Sequence, residues 1–285
     1  MRFLNPEPQT LVLHHAALGD LLLLGPMLRA LSRPLHLLVG GRFVGVARHL
    51  NWCDAAEDLE SSAFASLFGN DVEAAHLVLP KAVRVIDAAT DGTALRSVCR
   101  RRGIRYDQIN TKQNESQIHQ AAYYLQQIGL PPMLDDYVNS VRVGSTTQEI
   151  LIHPGSGGVQ KCWPVENFIE LADRLIAQGK HVRVVLGPAE LERIEPVQLD
   201  AFRSLAETIE WPEIVALAGI LAQGCRYIGN DSGISHLAAA CGARCTVLFG
   251  PTDPAIWRPL GPEVTLIMRN HLLDIAVDDV MATLG

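Results

Sequence analysis

The sequence predicts an α/β protein built from two doubly wound, Rossmann-like parallel-sheet domains facing a cleft. Three observations carry that expectation. Short apolar runs alternate with amphipathic stretches through both halves of the 285 residues, the pattern of strands joined by covering helices. Glycine-rich turns follow several of those runs directly, where open α/β sheets place their ligands. A polar stretch at 132–148 separates the two series and reads as a linker. The expected domains are 1–140 and 141–285, with the last helix of the second packing back on the first.

In chain order, 1–9 is polar with two prolines and reads as a frayed lead-in. A strand at 10–15 turns through Ala16-Ala17-Leu18-Gly19-Asp20 into an apolar helix running to about Leu31. A strand at 35–41 and a helix at 43–50 follow. The next segment carries a short helix at 64–68, strands at 76–79 and 83–88, and a helix at 93–102. Residues 106–117 are polar without periodicity and read as a loop, and 118–128 as an amphipathic helix stopped by Gly129-Leu130-Pro131-Pro132.

The second series opens with a strand at 150–152 and the glycine-rich loop His153-Pro154-Gly155-Ser156-Gly157-Gly158. An amphipathic helix at 164–178 begins at Trp163-Pro164, proline suiting the first helical turn. Then come a strand at 181–186, a helix at 191–199, a short strand at 205–210 and a helix at 212–222. The stretch from Arg226 to Pro254 is one strand-turn-helix-strand unit: strand 226–228, the turn Gly229-Asn230-Asp231-Ser232-Gly233, a small-residue helix at 234–241 and a buried strand at 245–249. The tail at 274–284 is helical in pattern.

Composition excludes several classes of function. With 48% hydrophobic and 19% charged residues, the chain reads as soluble and globular. No apolar run reaches the roughly 20 residues of a membrane span and the N-terminus lacks a signal pattern, so a cytoplasmic protein is expected. Six cysteines without a C-x-x-C pair suit reduced thiols rather than zinc ligands or a disulfide framework, and no metal is expected. A net charge of −7 argues against nucleic acid as a partner. Against that acidity, Arg96, Arg100, Arg101, Arg102 and Arg105 crowd into ten residues. A solvated helix face accounts for such a run, and so does a docking patch for an anionic acceptor or lipid headgroup.

The chemistry lies in the turns. A helix starting straight off a strand aims unpaired N–H groups and its positive end at the sheet edge, where an anion is the natural guest. At 229–236, Gly233 admits a ligand close to the backbone, and Ser232 and Ser235 can donate to phosphate oxygens. Asp231 is the odd member there: a carboxylate suits a helix cap or a sugar hydroxyl, not a phosphate. The 153–161 loop fits neither the P-loop spacing nor the dinucleotide fingerprint. It offers backbone N–H groups and one cation, Lys161, to cradle a diphosphate and neutralise charge developing on it. His236 is a phosphate contact or a core histidine. Asp20 is a helix N-cap or an exposed carboxylate able to act as a general base.

ALGD at 17–20, HPGSG at 153–157, KCWP at 161–164, GPAE at 187–190, GNDSGISHLAAACG at 229–242 and GPTDP at 250–254 form an ordered series. That series resembles glycosyltransferase family 9, the ADP-heptose:lipopolysaccharide heptosyltransferases, most strongly over 150–260. The resemblance implies a GT-B architecture and a metal-independent, inverting transfer of a heptose from a nucleotide diphosphate donor such as ADP-heptose. It implies no cofactor, the donor being a substrate, and an anionic glycolipid acceptor of the lipopolysaccharide-core type. Peripheral contact with the cytoplasmic face of the inner membrane follows from such an acceptor. By the same resemblance Asp20 is the base, Lys161 contacts the donor, and Ser156 and Gly157 form the phosphate-side loop. Asp231, Ser232, Gly233 and His236 match the donor motif, Glu190 a ribose or base contact, and Arg96, Arg100 and Arg101 an acceptor patch. The first strand ends in His14-His15 where the family commonly carries an arginine, and 51–117 is hard to match. A nucleotide-sugar epimerase on the same fold and a catalytically degenerate nucleotide-sugar-binding protein are the alternative readings.

Overall fold

The structure, a computed structural model, describes residues 9–90, 92–111, 117–145 and 147–284. The expected lead-in at 1–8 and the expected loop at 112–116 lie outside the described residues. Contacts divide the chain into two compact units, Met1–Ser116 with Gln120–Leu134, and Gln117–His119 with Asp135–Gly285.

The first unit runs β1 (Thr10–His14), α1 (Leu18–Leu23), α2 (Gly25–Ala30), β2 (Leu35–Val39), α3 (Val44–His49), β3 (Ala55–Asp58), α4 (Val72–Val78), β4 (Arg84–Ala88), α5 (Thr93–Arg102), β5 (Arg105–Gln108) and α6 (Gln120–Gln127). Its sheet has the order β3-β2-β1-β4-β5, and every pairing is parallel. β1 and β2 are buried at every residue, as central strands covered on both faces must be. One face is filled by Leu11, Leu13, Leu38, Leu59, Phe64 and the inner side of α5.

Three expectations are corrected here. The helix expected from Asp20 to Leu31 breaks at Leu24, because Gly25-Pro26 starts a new helix and proline has no N–H to continue the first. The strand expected at 76–79 is helical: the Asp71 carboxylate accepts from the Glu73 and Ala74 amides at 3.0 Å and caps α4. The stretch expected as loop from 106 begins inside β5, an edge strand whose polar sequence RYDQ gives no apolar run.

The second unit runs α7 (Asp135–Ser140), β6 (Glu149–His153), α8 (Val165–Ala177), β7 (His181–Leu186), α9 (Pro188–Arg193), α10 (Pro196–Leu205), β8 (Glu207–Glu210), α11 (Ile214–Leu221), β9 (Arg226–Asn230), α12 (Gly233–Ala240), β10 (Arg244–Phe249), α13 (Pro254–Trp257), β11 (Val264–Met268) and α14 (Val277–Met281). The sheet order is β11-β10-β9-β6-β7-β8, again wholly parallel. The expected linker contains α7, and the expected helix at 191–199 is two helices, divided where Pro196 opens α10. Trp163 anchors the core: its indole N–H donates to the Ile275 carbonyl at 2.9 Å, and Phe168 meets it edge-on at 4.9 Å. α14 packs on α8 with Val277 and Val280 in the same core. Among the described residues no helix is long and apolar enough to cross a membrane.

Each order reverses direction at one point, between β1 and β4 in the first sheet and between β6 and β9 in the second. Ligands of open parallel sheets bind beyond the carboxyl ends of the strands at such points. Asp20 follows β1, and the two glycine-rich loops follow β6 and β9.

Candidate active site

In the second unit, the loops after β6 and β9 are tied into one structure. Asn230, wholly buried, donates to the Pro154 carbonyl at 2.7 Å and accepts from the Trp163 amide at 2.9 Å. Ser156 Oγ donates to the Asp231 carbonyl at 2.6 Å, and the Ser156 carbonyl accepts from Arg193 at 3.2 Å. Gly157 stands in open space, where an added Cβ would meet nothing within 4 Å.

Lys161 and Asp231, both singled out in the sequence, are brought together. Lys161 Nζ lies 2.8 Å from Asp231 Oδ2, with side chains 31% and 6% exposed. The same oxygen accepts from the Thr252 hydroxyl at 2.7 Å. Ser232 is the N-cap of α12 and accepts from the Ser235 amide at 3.3 Å, so Gly233 opens the helix beside Asp231. His236 is buried one turn along. Burial lowers its pKa to about 4, against the pull of Asp231 and with help from His119 and Lys161, so the ring is neutral at physiological pH. The result is a helix N-terminus with a cation, a buried carboxylate and a neutral imidazole at one edge.

Other residues are placed differently from expectation. Ser235 is wholly buried and donates to the Asn230 carbonyl, so it faces the interior rather than a phosphate. Glu190, expected against ribose or base, is 6% exposed. Its Oε2 accepts from the Gly187 amide at 2.8 Å and stands 3.6 Å from His153 Nε2. Burial would raise its pKa, but the bonds and charge of His153 and the Gly187 amide outweigh that and lower it, keeping the group a carboxylate. A Cβ at Gly155 would stand on Glu190 Oε1, so any other residue there would displace the Glu190 carboxylate.

In the first unit, Asp20 lies in the first turn of α1, whose N-cap is Ala17, so the capping explanation for Asp20 falls away. Tyr124 of α6 is buried beside it: burial and then the charge of Asp20 raise the phenol's pKa. At the end of β4, Asp87 is wholly buried and accepts from the Ala89 and Thr90 amides at 3.0 and 2.9 Å, the Thr90 hydroxyl, and Tyr106 at 2.8 Å. His14 is wholly buried at the end of β1, and neither ring nitrogen has a hydrogen-bond partner. Of the arginines, Arg96 donates to Gln108 at 2.8 Å and lies over the Tyr106 ring, and Arg101 pairs with Glu73. Arg100 is exposed on the last turn of α5.

Sequence reasoning missed Thr252, His119, His153 and Tyr227. Thr252 sits in the GPTDP motif but carries no local signal of its bond to Asp231. His119, from the segment before α6, donates from Nε2 to the Arg258 carbonyl at 2.9 Å and acts electrostatically on His236, a placement no pattern in its own segment announces.

Two parallel sheets of Rossmann type, the second with paired glycine-rich loops, a cation and a capped helix at its reversal point, define an α/β protein of the GT-B fold class. The sequence model of glycosyltransferase family 9 (heptosyltransferase) matches residues 73–276, well over half of the chain, and the chain belongs to that family. It is 30% identical over 119 residues to lipopolysaccharide heptosyltransferase 3 of Escherichia coli, a match covering 39% of this chain and 33% of that protein. The match thus spans about a third of that relative's length. Over 96% of this chain and 95% of the other, the fold is similar to a glycosyl transferase family 9 structure from Veillonella parvula, at TM-score 0.73 and 18% identity. It is also similar to Escherichia coli heptosyltransferase WaaC with ADP-2-deoxy-2-fluoro heptose, at TM-score 0.66 and 17% identity, over 97% and 98% of the two chains.

Proposed function

We propose that this protein transfers a heptose from ADP-heptose to an acceptor of the lipopolysaccharide-core type, by a metal-independent, inverting displacement. The observation that carries the reading is the Lys161–Asp231 pair beside the Ser232-capped start of α12 at the reversal point of the second sheet. Family membership and the ADP-sugar held by WaaC support the nucleotide and the sugar.

In this mechanism the acceptor hydroxyl oxygen attacks the anomeric carbon as the bond from that carbon to the diphosphate oxygen breaks. The electron pair leaves with ADP, and the hydroxyl proton passes to the Asp20 carboxylate. Lys161 and the amides at Ser232 and Gly233 stabilise the growing negative charge, the task a metal performs elsewhere. Asp231 turns its carboxylate to the sugar hydroxyls once Lys161 engages the diphosphate. Asp20 on one unit and the donor loops on the other divide the work between acceptor and donor. A cytoplasmic location with peripheral contact at the membrane face, through Arg100 and its neighbours, suits a glycolipid acceptor.

The test is calorimetric titration of the protein with ADP, UDP and GDP in EDTA, followed by transfer from ADP-heptose to a core acceptor. Preferential ADP binding and acceptor-dependent release of ADP are expected. A preference for another nucleotide would replace the donor, and turnover of the donor with no acceptor present would favour an epimerase.

A further inference from the structure

Beneath the donor loops runs a buried chain of polar side chains that the transfer mechanism does not use. It starts at the Gly187 amide, which donates to Glu190 Oε2 at 2.8 Å. Glu190 faces His153 Nε2 at 3.6 Å, and His153 Nδ1 lies 3.4 Å from the Tyr227 hydroxyl. That hydroxyl lies 3.0 Å from Ser235 Oγ, which donates to the Asn230 carbonyl and lies 3.2 Å from Ser232 Oγ. Every side chain from Glu190 to Ser232 is at most 7% exposed. The chain therefore passes under three loops, those after β7, β6 and β9, and ends at the cap of α12.

Burying that many polar groups is costly unless each finds a partner, and an apolar residue at 153 or 227 would fill the space at lower cost. The neighbouring positions do that: Ile150, Leu151, Ile152 and Ile228 are all apolar. Glycines also make room for the chain. A Cβ at Gly229 would stand on the Tyr227 hydroxyl and 3.0 Å from the His153 carbonyl, and one at Gly155 would stand on Glu190. The packing is thus cut to fit the polar groups.

The geometry points to Tyr227 and His153 as positioning residues that hold the three donor loops in one register, so that they meet a nucleotide diphosphate as a preformed surface. The inference rests on the donor reading above. Preformation lowers the ordering cost of binding, so loosening the chain weakens binding more than it slows the bound complex.

The decisive variant is Tyr227→Phe, which keeps the ring and deletes one hydroxyl, with Ser235→Ala at the other end as the second. Amide hydrogen exchange is measured without ligand, and dissociation constants for ADP, UDP and GDP by titration. In both variants exchange should quicken together at 153–161, 187–190 and 230–236 while α8 keeps its protection. The dissociation constant of the preferred nucleotide should rise about tenfold and kcat change less than about twofold. Faster exchange confined to the mutated strand, or spread evenly over the second unit, would overturn the inference. Failure of the unaltered protein to bind any of the nucleotides would overturn the donor reading instead, and the exchange pattern would still judge the coupling of the loops.

Discussion

The carboxyl edges of the two sheets are built differently. At the second, Asn230, Asp231, Ser232, Ser235, His153 and Glu190 all have partners, many of them across more than seventy residues of sequence. At the first, the Asp87 turn is equally well satisfied, yet His14 beside it on β1 is buried with no partner at either nitrogen. The contrast teaches how the work is divided. A diphosphate needs several donors fixed before it arrives, and fixing them takes a cross-linked edge. The base proposed for the transfer needs only one carboxylate at the right place, and Asp20 is set by the first turn of one short helix.

The sharpest way to test that division is to remove its two charged members in turn. Asp20→Asn keeps the shape of the side chain and loses the proposed base. Transfer should fall by about a thousandfold or more, while nucleotide affinity changes less than about twofold in the same titration. Comparable losses in both would place Asp20 among the donor contacts and erase the contrast between the edges. Lys161→Ala should act the other way. It removes the cation proposed for the diphosphate and takes the ion-pair partner from the Asp231 carboxylate, which keeps the Thr252 hydroxyl. Affinity for the nucleotide should drop at least tenfold and transfer by about a hundredfold, measured as kcat/KM for the donor. An unchanged dissociation constant would take Lys161 out of the cradle.

How much of this was legible in the sequence follows the same line. Central strands and the helix over 165–177 were readable because burial on both faces or on one stripe leaves a local signature. Strands β3 and β5 were not, because each lies at a sheet edge and their sequences AAED and RYDQ carry no apolar run, and β11, VTLIM, is apolar but too short to separate from a helix segment by periodicity. The run His76-Leu77-Val78-Leu79 fits strand and helix alike, and the Asp71 cap decided for helix. In the site, the glycine-rich loops, Lys161 and Asp231 could be picked out by residue type. Their contact could not, since seventy residues separate them and the β6–β9 pairing brings them together. Glu190 was assigned outward from its motif, whereas the space left by Gly155 and the His153 ring draw it inward. Tyr227 looked like one more strand residue, and only the packed structure reveals what its hydroxyl reaches.

The mildest test concerns His14, the polar group the first edge leaves unsatisfied. An imidazole buried without a hydrogen bond destabilises the fold, so His14→Leu, similar in volume, should stabilise the first unit by about 1 kcal/mol at neutral pH. The sign of the pH dependence follows from the direction of the shift. Burial, with the neighbouring His15, lowers the His14 pKa to about 4, below the value of about 6.5 expected when unfolded. The unfolded chain therefore takes up the proton first, and the stability associated with the neutral ring is present above about pH 6.5 and lost as the pH falls towards 4. The advantage of His14→Leu should widen over that window and level off below it. Urea denaturation of both proteins at pH 7.5, 6, 5 and 4 reads the difference. A variant that is less stable than the parent at every pH would mean that His14 has a partner in solution. The first edge would then be as fully satisfied as the second, and the contrast between them would lie in Asp20 alone.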